Sequence, residues 1–324
     1  MDPRIGPPTS DLGGGVLQID TRYLGEPDFT ACYILHRGGE AAVIETNTNH
    51  AVPAVLDGLS AHGLHPEQVR YVILTHVHLD HAGGAGRLMR ALPNAVLLVH
   101  PRGRRHMADP GRLIASVKQV YGEEKYLALY GDIQPVEPSR IRDIEDGAAF
   151  DLDARPLRFL HTPGHAKHHA VVFDEHSGAL FSGDAFGIAY PRYRRDGFRF
   201  IFPSTSPVQF DPDDSLASFQ KIVDLRPARI LLTHFGELTD VAQAYGQLGD
   251  LIGYSMERAE KRYAQVYRGE ALERFLEEDL WSYYEGMLER GLDLRLDETE
   301  REFLNLDAHL NAMGLAFYIQ RARE

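Results

Sequence analysis

Four residues of metal-ligand type follow a short apolar run within a few positions of each other. In the segment YVILTHVHLDHAGG at positions 71–84, the apolar run is followed by His76, His78, Asp80 and His81. Alternate residues of an extended chain project to the same side, so these side chains can converge on one point. Imidazole and carboxylate groups bind divalent metals such as zinc, iron and manganese. The segment therefore predicts a metal site at the end of a buried strand.

Three more apolar runs are followed by residues of the same types. These residues are His161 and His165 after Leu157–Leu160, Asp184 after Ala179–Phe181, and His234 after Ile230–Leu232. Loops at strand ends gather distant residues into one pocket, so all four segments could meet around a single centre. His161 and His165 compete for one ligand position, and the Pro163-Gly164 turn between them favours His165.

The pattern of apolar and polar residues along the chain predicts two regions. From Thr30 to about Leu232, β-rich runs alternate with helical stretches such as Ala51–His62, which indicates layered α and β structure. The predicted strands are Ala31–Leu35, Ala41–Glu45, Tyr71–Thr75, Ala95–Val99, Leu157–Leu160, Ala170–Phe173, Ala179–Phe181 and Arg229–Leu232. Helical patterns then occupy Val241–Tyr267, Leu272–Glu289 and Glu298–Ala322. We predict a catalytic domain over residues 1–238 and a helical extension, residues 239–324, packed on it.

Composition excludes several classes of function. The chain has 34 Lys and Arg against 47 Asp and Glu, a formal charge of −13, which argues against nucleic-acid binding through the phosphate backbone. Its single cysteine, Cys32, excludes an intramolecular disulfide and a thiolate-rich zinc site. The first residues lack a secretory pattern and no run of about 18 apolar residues occurs. We therefore expect a cytoplasmic protein that does not engage a membrane.

The motifs THVHLDH, HTPGH, SGD and TH, in that order, resemble the metallo-β-lactamase superfamily over roughly residues 15–238. The resemblance implies an α+β fold, a four-layer αβ/βα sandwich, with a dinuclear metal centre at its edge. It assigns His76, His78 and His165 to the first metal. It assigns Asp80, His81 and His234 to the second metal, with Asp184 bridging the two. Zinc is the first expectation for both divalent ions, with iron and manganese as alternatives, and His169 is expected to support the pocket.

The resemblance also implies an activity. A metal-bound hydroxide would attack an ester, thioester or lactone carbonyl, and Asp80 could receive the proton of the water. The narrower similarity is to the branch of glyoxalase II-like and quinolone-signal-response thioesterase-like hydrolases. We expect a small-molecule substrate and a possible homodimer. Two alternatives stay open: a mononuclear iron enzyme like the persulfide dioxygenases, and a ligand-binding or signalling protein with incidental turnover.

Three other features have competing interpretations. The basic segments Arg102–Arg105 and Arg192–Arg195 are either solvated loops or attract an anionic substrate. The aromatic side chains of residues 186–207 either wall the active site or pack in a core. Asp211, before Pro212 and two further acidic residues, predicts the N-cap of a helix.

Overall fold

The computed structural model describes residues 8–195, 197–265 and 267–323, without the side chains at 116, 120 and 121. The first seven residues, on which the argument about a secretory leader partly rests, lie outside this description. The chain forms two compact units. The first contains the described residues up to His161 together with His168–Gly183 and Pro227–Leu238, and the second contains Thr162–Lys167, Asp184–Arg226 and the chain from Thr239 onward. The domain boundary predicted at residue 238 stays a prediction.

The strands, in chain order, are β1 (Thr9–Asp11), β2 (Val16–Asp20), β3 (Ala31–Arg37), β4 (Glu40–Ile44), β5 (Val69–Ile73), β6 (Val96–Val99), β7 (Ile141–Asp143), β8 (Ala149–Asp151), β9 (Pro156–His161), β10 (Ala170–Asp174), β11 (Ala179–Gly183), β12 (Arg194–Arg195), β13 (Phe198–Arg199), β14 (Arg229–Leu232) and β15 (Gly236–Leu238). Each of the eight predicted strands is present. The additional strands are short and mostly lie at sheet edges, where few β-branched residues mark them in the sequence.

The helices are α1 (Val52–Ala61), α2 (Leu79–Ala82), α3 (Ala85–Ala91), α4 (Pro101–Ala108), α5 (Gly111–Tyr121), α6 (Glu123–Tyr130), α7 (Pro212–Asp224), α8 (Val241–Ala264), α9 (Gly269–Leu292) and α10 (Glu298–Arg323). The three predicted C-terminal helices are therefore confirmed. The Asp211 carboxylate caps α7 by accepting from the backbone N–H groups of Asp213 and Asp214, also as predicted. Among the described helices, none has the apolar length that crossing a bilayer requires.

Two sheets make up the first unit. One has the order β1-β2-β3-β4-β5-β6-β7 and the other β15-β14-β11-β10-β9-β8. The pairs from β4 to β7 are parallel, as is β11 with β14, whereas the remaining pairs within these two sheets are antiparallel. The parallel strands β5 and β14 are the ones that precede His76 and His234 in the chain.

The core of the first unit lies between these sheets. Tyr33 and Ile44 from one sheet and Phe159 and Phe181 from the other belong to a single buried cluster. A second buried cluster lies on the opposite face of the first sheet, where α1 and α3 cover it. Because the central strands are buried on both faces, they appear in the sequence as continuous apolar runs. The sheets thus form an α+β sandwich, and the polar residues that follow the strands lie at its rim.

Candidate metal centre

His76 and His78 lie in the short segment between β5 and α2, after Leu74 and Thr75. His76 is fully buried. Its Nε2 atom lies 3.0 Å from Nδ1 of His78, so the two nitrogens face the same point. The alternation of side chains in an extended segment produces this convergence, as the sequence predicts.

Asp80, His81 and His234 form a second group. One ligand atom from each lies within 4.8 Å of the others. Oδ2 of Asp80 is 3.7 Å from Nε2 of His81 and 3.4 Å from Nε2 of His234. Asp80 and His81 sit in α2, whereas His234 follows β14 in the other sheet. The first unit therefore brings together five of the seven predicted ligands.

His165 and Asp184, the other two predicted ligands, belong to the second unit. Nε2 of His165 lies 3.5 Å from Oδ2 of Asp184. Nδ1 of His165 lies 3.0 Å from the carbonyl oxygen of Ser204, and because a carbonyl only accepts, Nδ1 must carry the proton. The lone pair of His165 is consequently on Nε2, the atom that faces Asp184.

The donor atoms fit divalent metal ions. Ligand atoms bound tetrahedrally to one zinc at about 2.0–2.2 Å lie roughly 3.3 Å apart. The separations between neighbouring ligand atoms here are 3.0, 3.4, 3.5 and 3.7 Å. All the donors are imidazole nitrogens or carboxylate oxygens, a set that zinc, iron and manganese all accept. The geometry is compatible with metal binding and does not select the metal.

Glu45 and Thr75 support the histidines from behind. Thr75 donates to the buried Glu45 carboxylate from its hydroxyl and from its backbone N–H, at 3.3 Å. Since the hydroxyl proton goes to Glu45, Oγ1 of Thr75 accepts from Nδ1 of His76, 3.1 Å away. Glu45 Oε1 also lies 3.6 Å from Nδ1 of His81. With Nδ1 donating to Thr75, Nε2 is the ring nitrogen of His76 that could bind a metal.

The backbone around Asp80 and His81 is held just as tightly. Thr46 donates from both its backbone N–H and its hydroxyl to the carbonyl of His81, each at 2.9 Å. Asn47 donates to the carbonyl of Asp80 at 2.9 Å. A Cβ on Gly84 would lie 2.6 Å from the carbonyl oxygen of Thr46. A side chain at this position would therefore separate the two segments, and glycine is required for their close approach.

Three further histidines of the first unit have defined contacts. The ring of His169 stacks on His76 with 4.9 Å between centroids, in agreement with a pocket-supporting role. His168 is buried and its ring lies 5.6 Å from that of His78. His161 instead donates from Nε2 to the carbonyl of Ile144 at 2.7 Å, so that ring nitrogen is already committed.

The structure also shows where the basic segments and the aromatic side chains of residues 186–207 lie. The segment Arg102–Arg105 lies in α4 and not in a loop, a correction that follows from Pro101 at the first helical turn. Arg192 pairs with Glu300 at 3.0 Å and lies over the Phe303 ring. The aromatic side chains between 186 and 207 that are fully buried, Phe186, Tyr190, Tyr193, Phe200 and Phe202, include several that contact rings on α9 and α10. Core packing within the second unit is thus the role that the structure shows for them.

Sequence reasoning did not single out Glu45, Thr75 or Ser204. Glu45 carried the same signal as the ligands, a charged residue at the end of an apolar run. It stands alone and outside the histidine motifs, so the sequence by itself does not assign it to the site. Ser204 acts through its backbone carbonyl, so its side-chain type carries no signal.

The chain is similar to known proteins in both sequence and fold. The sequence pattern of the Metallo-beta-lactamase superfamily matches residues 25–234. The metallo-beta-lactamase fold-containing protein ST1585 of Sulfurisphaera tokodaii is 28% identical over 174 residues, which cover 52% of this chain and 62% of that protein. The atrochrysone carboxyl ACP thioesterase dmxR1 of Cryptosporiopsis sp. is 28% identical over 157 residues, 48% of this chain and 38% of that protein. The chain thus spans less than two thirds of the length of either relative.

Solved structures show the same fold. The metallo-beta-lactamase family protein TTHA1429 from Thermus thermophilus superposes with a TM-score of 0.65 and 22% identity, over 97% of this chain and 95% of that one. The predicted α+β fold, a metallo-β-lactamase sandwich with C-terminal helices, is therefore confirmed. The order of the motifs in the sequence and the match over residues 25–234 lead to one conclusion: the chain belongs to the metallo-β-lactamase superfamily.

Proposed function

We propose that this protein is a metal-dependent hydrolase that cleaves an ester, thioester or lactone. The observation that carries the proposal is the group of Asp80, His81 and His234, whose ligand atoms lie within 4.8 Å of one another. Family membership adds weight, because hydrolysis is widespread among these proteins. Two of these donors lie in α2 and the third follows β14, so distant parts of the chain bring together the imidazole and carboxylate groups that divalent metals bind.

The proposed ligands follow the family pattern. His76, His78 and His165 would hold one divalent ion, and Asp80, His81 and His234 the other, with Asp184 between them. When bound, such ions lower the pKa of a coordinated water to about 7 and polarise the carbonyl of the substrate. Zinc is the first candidate for both positions.

The proposed ligands differ in their access to solvent. The Asp80 side chain is 29% exposed, whereas that of His81 is fully buried. Asp80 can therefore meet a water molecule directly, and its carboxylate would accept a proton from that water. Nδ1 of His76 lies near Thr75 and Nδ1 of His81 lies near Glu45. These two histidines would therefore hold a metal ion and fix its position.

A thioester is the first substrate class to test. The relative dmxR1 is named an atrochrysone carboxyl ACP thioesterase, and that name describes that protein. The acidic balance of this chain, −13, disfavours nucleic-acid substrates. We therefore propose a small-molecule carbonyl substrate.

The test combines metal analysis with a substrate panel. Purified protein is assayed for bound metal and then for hydrolysis of thioesters, lactones and phosphodiesters, alongside Asp184→Asn. We expect bound divalent metal, carbonyl hydrolysis, and a loss of turnover of about 100-fold or more in the variant. Full activity after complete removal of metal would overturn the proposal. Sulfide-dependent oxygen uptake with bound iron would replace it with the oxygenase alternative.

A further inference from the structure

A buried asparagine on the last helix holds a short backbone segment of the second unit. Asn311 of α10 is only 4% exposed, and its Oδ1 accepts from the backbone N–H of Thr205 at 2.7 Å. Its Nδ2 donates to the carbonyl of Pro203 at 3.1 Å and to the hydroxyl of Tyr284 at 3.1 Å. The amide therefore clamps the backbone on both sides of Ser204.

Ser204, between the two clamped residues, is the residue that accepts from His165. Its carbonyl lies 3.0 Å from Nδ1 of His165, and this contact assigns the proton to Nδ1. Thr205 adds a further tie, because its hydroxyl donates to the backbone carbonyl of Asn311 at 2.9 Å. Three consecutive residues thus connect α10 to the imidazole of His165.

Helix α10 lies so close to this segment that no side chain fits between them at one position. Gly314, one turn after Asn311, has no side chain, and a Cβ there would lie 1.5 Å from the carbonyl oxygen of Thr205. Residues three apart lie on the same face of a helix, so Asn311 and Gly314 form one contact surface. Any larger residue at 314 would move the helix or the segment.

We propose that Asn311 is a positioning residue for metal binding. By fixing the backbone of Pro203, Ser204 and Thr205, it keeps the Ser204 carbonyl on Nδ1 of His165, which reserves Nε2 for the metal. Partners that orient a ligating histidine commonly change metal affinity by about 10–100-fold when they are lost. The inference rests on the proposed metal centre, and it makes the C-terminal helix a determinant of metal affinity.

A purely structural role would predict something different. Burying an amide whose groups are all hydrogen-bonded contributes to stability wherever it occurs. Replacing it would then lower stability and leave the tautomer of His165 and the metal affinity unchanged. The two roles are therefore separated by measurements on the histidine and on the metal, and not by stability.

The variants are Asn311→Leu, which removes the clamp but keeps the volume similar, and Thr205→Val, which removes one hydroxyl. Asn305→Leu changes an exposed asparagine on the same helix and is the matched control. Zinc affinity is measured by competition with a chromogenic chelator. The tautomer is measured in metal-free protein from the ring ¹⁵N shifts of labelled histidine, with His165→Gln assigning the resonances.

We expect Asn311→Leu to weaken one equivalent of zinc by about 10-fold and to shift the ring ¹⁵N signals of His165 away from the pure Nδ1–H form. Thr205→Val should show a smaller change in the same direction, and Asn305→Leu none. Folded Asn311→Leu with unchanged zinc affinity and tautomer would overturn the inference. If that variant does not fold, unchanged values in Thr205→Val would do the same.

Failure of the proposed function looks different. Wild-type protein that binds zinc but hydrolyses none of the carbonyl substrates refutes the hydrolase proposal, while the zinc competition still decides the role of Asn311. Wild-type protein that takes up no divalent metal refutes both. Active, zinc-loaded protein whose Asn311→Leu variant behaves like wild type refutes the positioning role alone.

Discussion

Nε2 of His234 lies 3.4 Å from Oδ2 of Asp80, although one follows a strand of the second sheet and the other lies in a short helix after a strand of the first. Their proximity depends on the two sheets packing face to face through the buried cluster that includes Tyr33 and Phe181. The Tyr33 hydroxyl of β3 donates a hydrogen bond of 2.5 Å to the carbonyl of Leu232. This bond ties the end of β14, in the second sheet, directly to the first sheet. Metal binding is therefore expected to depend on the integrity of this core.

Asp80→Asn should remove one equivalent of metal and most of the activity. The substitution keeps the shape of the side chain but removes both the anionic ligand and the proton acceptor. We expect hydrolysis to fall by about 100-fold or more, with metal content measured on the same samples. Asp57→Asn, on the exposed face of α1, is the control and should match wild type. Two bound equivalents in Asp80→Asn would show that Asp80 is not a ligand.

Thr75→Val should weaken metal binding without removing any ligand. Valine keeps the volume of the side chain but has no hydroxyl group. It cannot form the hydrogen-bond relay from Nδ1 of His76 to the Glu45 carboxylate, so the orientation of this ring is no longer fixed. We expect a 10–100-fold loss of metal affinity by chelator competition. Thr75→Ser restores the hydroxyl and should recover most of it. Equal affinities in the valine and serine variants would contradict the relay.

His100→Asn should flatten the acid side of the stability profile. Burial, with contributions from His161 and Arg102, lowers the pKa of His100 to about 4. Because the unfolded chain binds this proton at its ordinary pKa near 6.5, stability is complete above that value and is lost as the pH falls toward 4. We expect a loss of about 1–2 kcal/mol from this group over that interval.

The measurement is urea unfolding of metal-free wild type and His100→Asn between pH 7 and pH 4.5. The asparagine can still accept from the backbone N–H of Arg102, as Nδ1 of His100 does at 3.0 Å, so the cap of α4 is preserved. Parallel decreases in stability for both proteins would exclude His100 as the source of the acid sensitivity.

Arg155→Leu should destabilise the first unit strongly. Arg155 and Asp174 form a fully buried ion pair with two hydrogen bonds, of 2.9 and 2.5 Å. Burial alone would raise the pKa of Asp174, but hydrogen bonds from Arg155 and Ser177 hold it below its ordinary value. Removing the arginine leaves a buried, unpaired carboxylate, at a cost of about 3–5 kcal/mol.

Arg158→Leu is the matched comparison for this substitution. Arg158 pairs with Glu175 at 3.6 Å, and both side chains are exposed, so we expect a change below about 1 kcal/mol. Denaturant unfolding of both variants provides the measurement. Similar losses in the two variants would mean that burial does not determine the contribution of these pairs.

The sequence singles out the candidate ligands because their signal is local. An apolar run followed by a charged or imidazole residue can be recognised within one short segment of the sequence, as at Leu74 and Thr75 before His76. The continuous apolar runs identified the central strands for the same reason, and the helical periodicity after Thr239 identified α8, α9 and α10. The assignment of all seven ligands still came from the family resemblance, since spacing alone left His161 and His165 in competition.

The tertiary structure decided what depends on contacts between distant residues. The sequence contains no mark that makes Glu45 the support of Thr75 and His76, or that places the Ser204 carbonyl on His165. Nor could periodicity show that Asn311 would close on the backbone at Thr205, because helical patterns report which face is buried and not against which partner. By itself, the sequence determined which side chains are available for chemistry at the strand ends. Only the packing of the folded chain decided which ring nitrogens are held by protein groups and which face the metal site, because that choice is made by hydrogen bonds between residues far apart in the sequence.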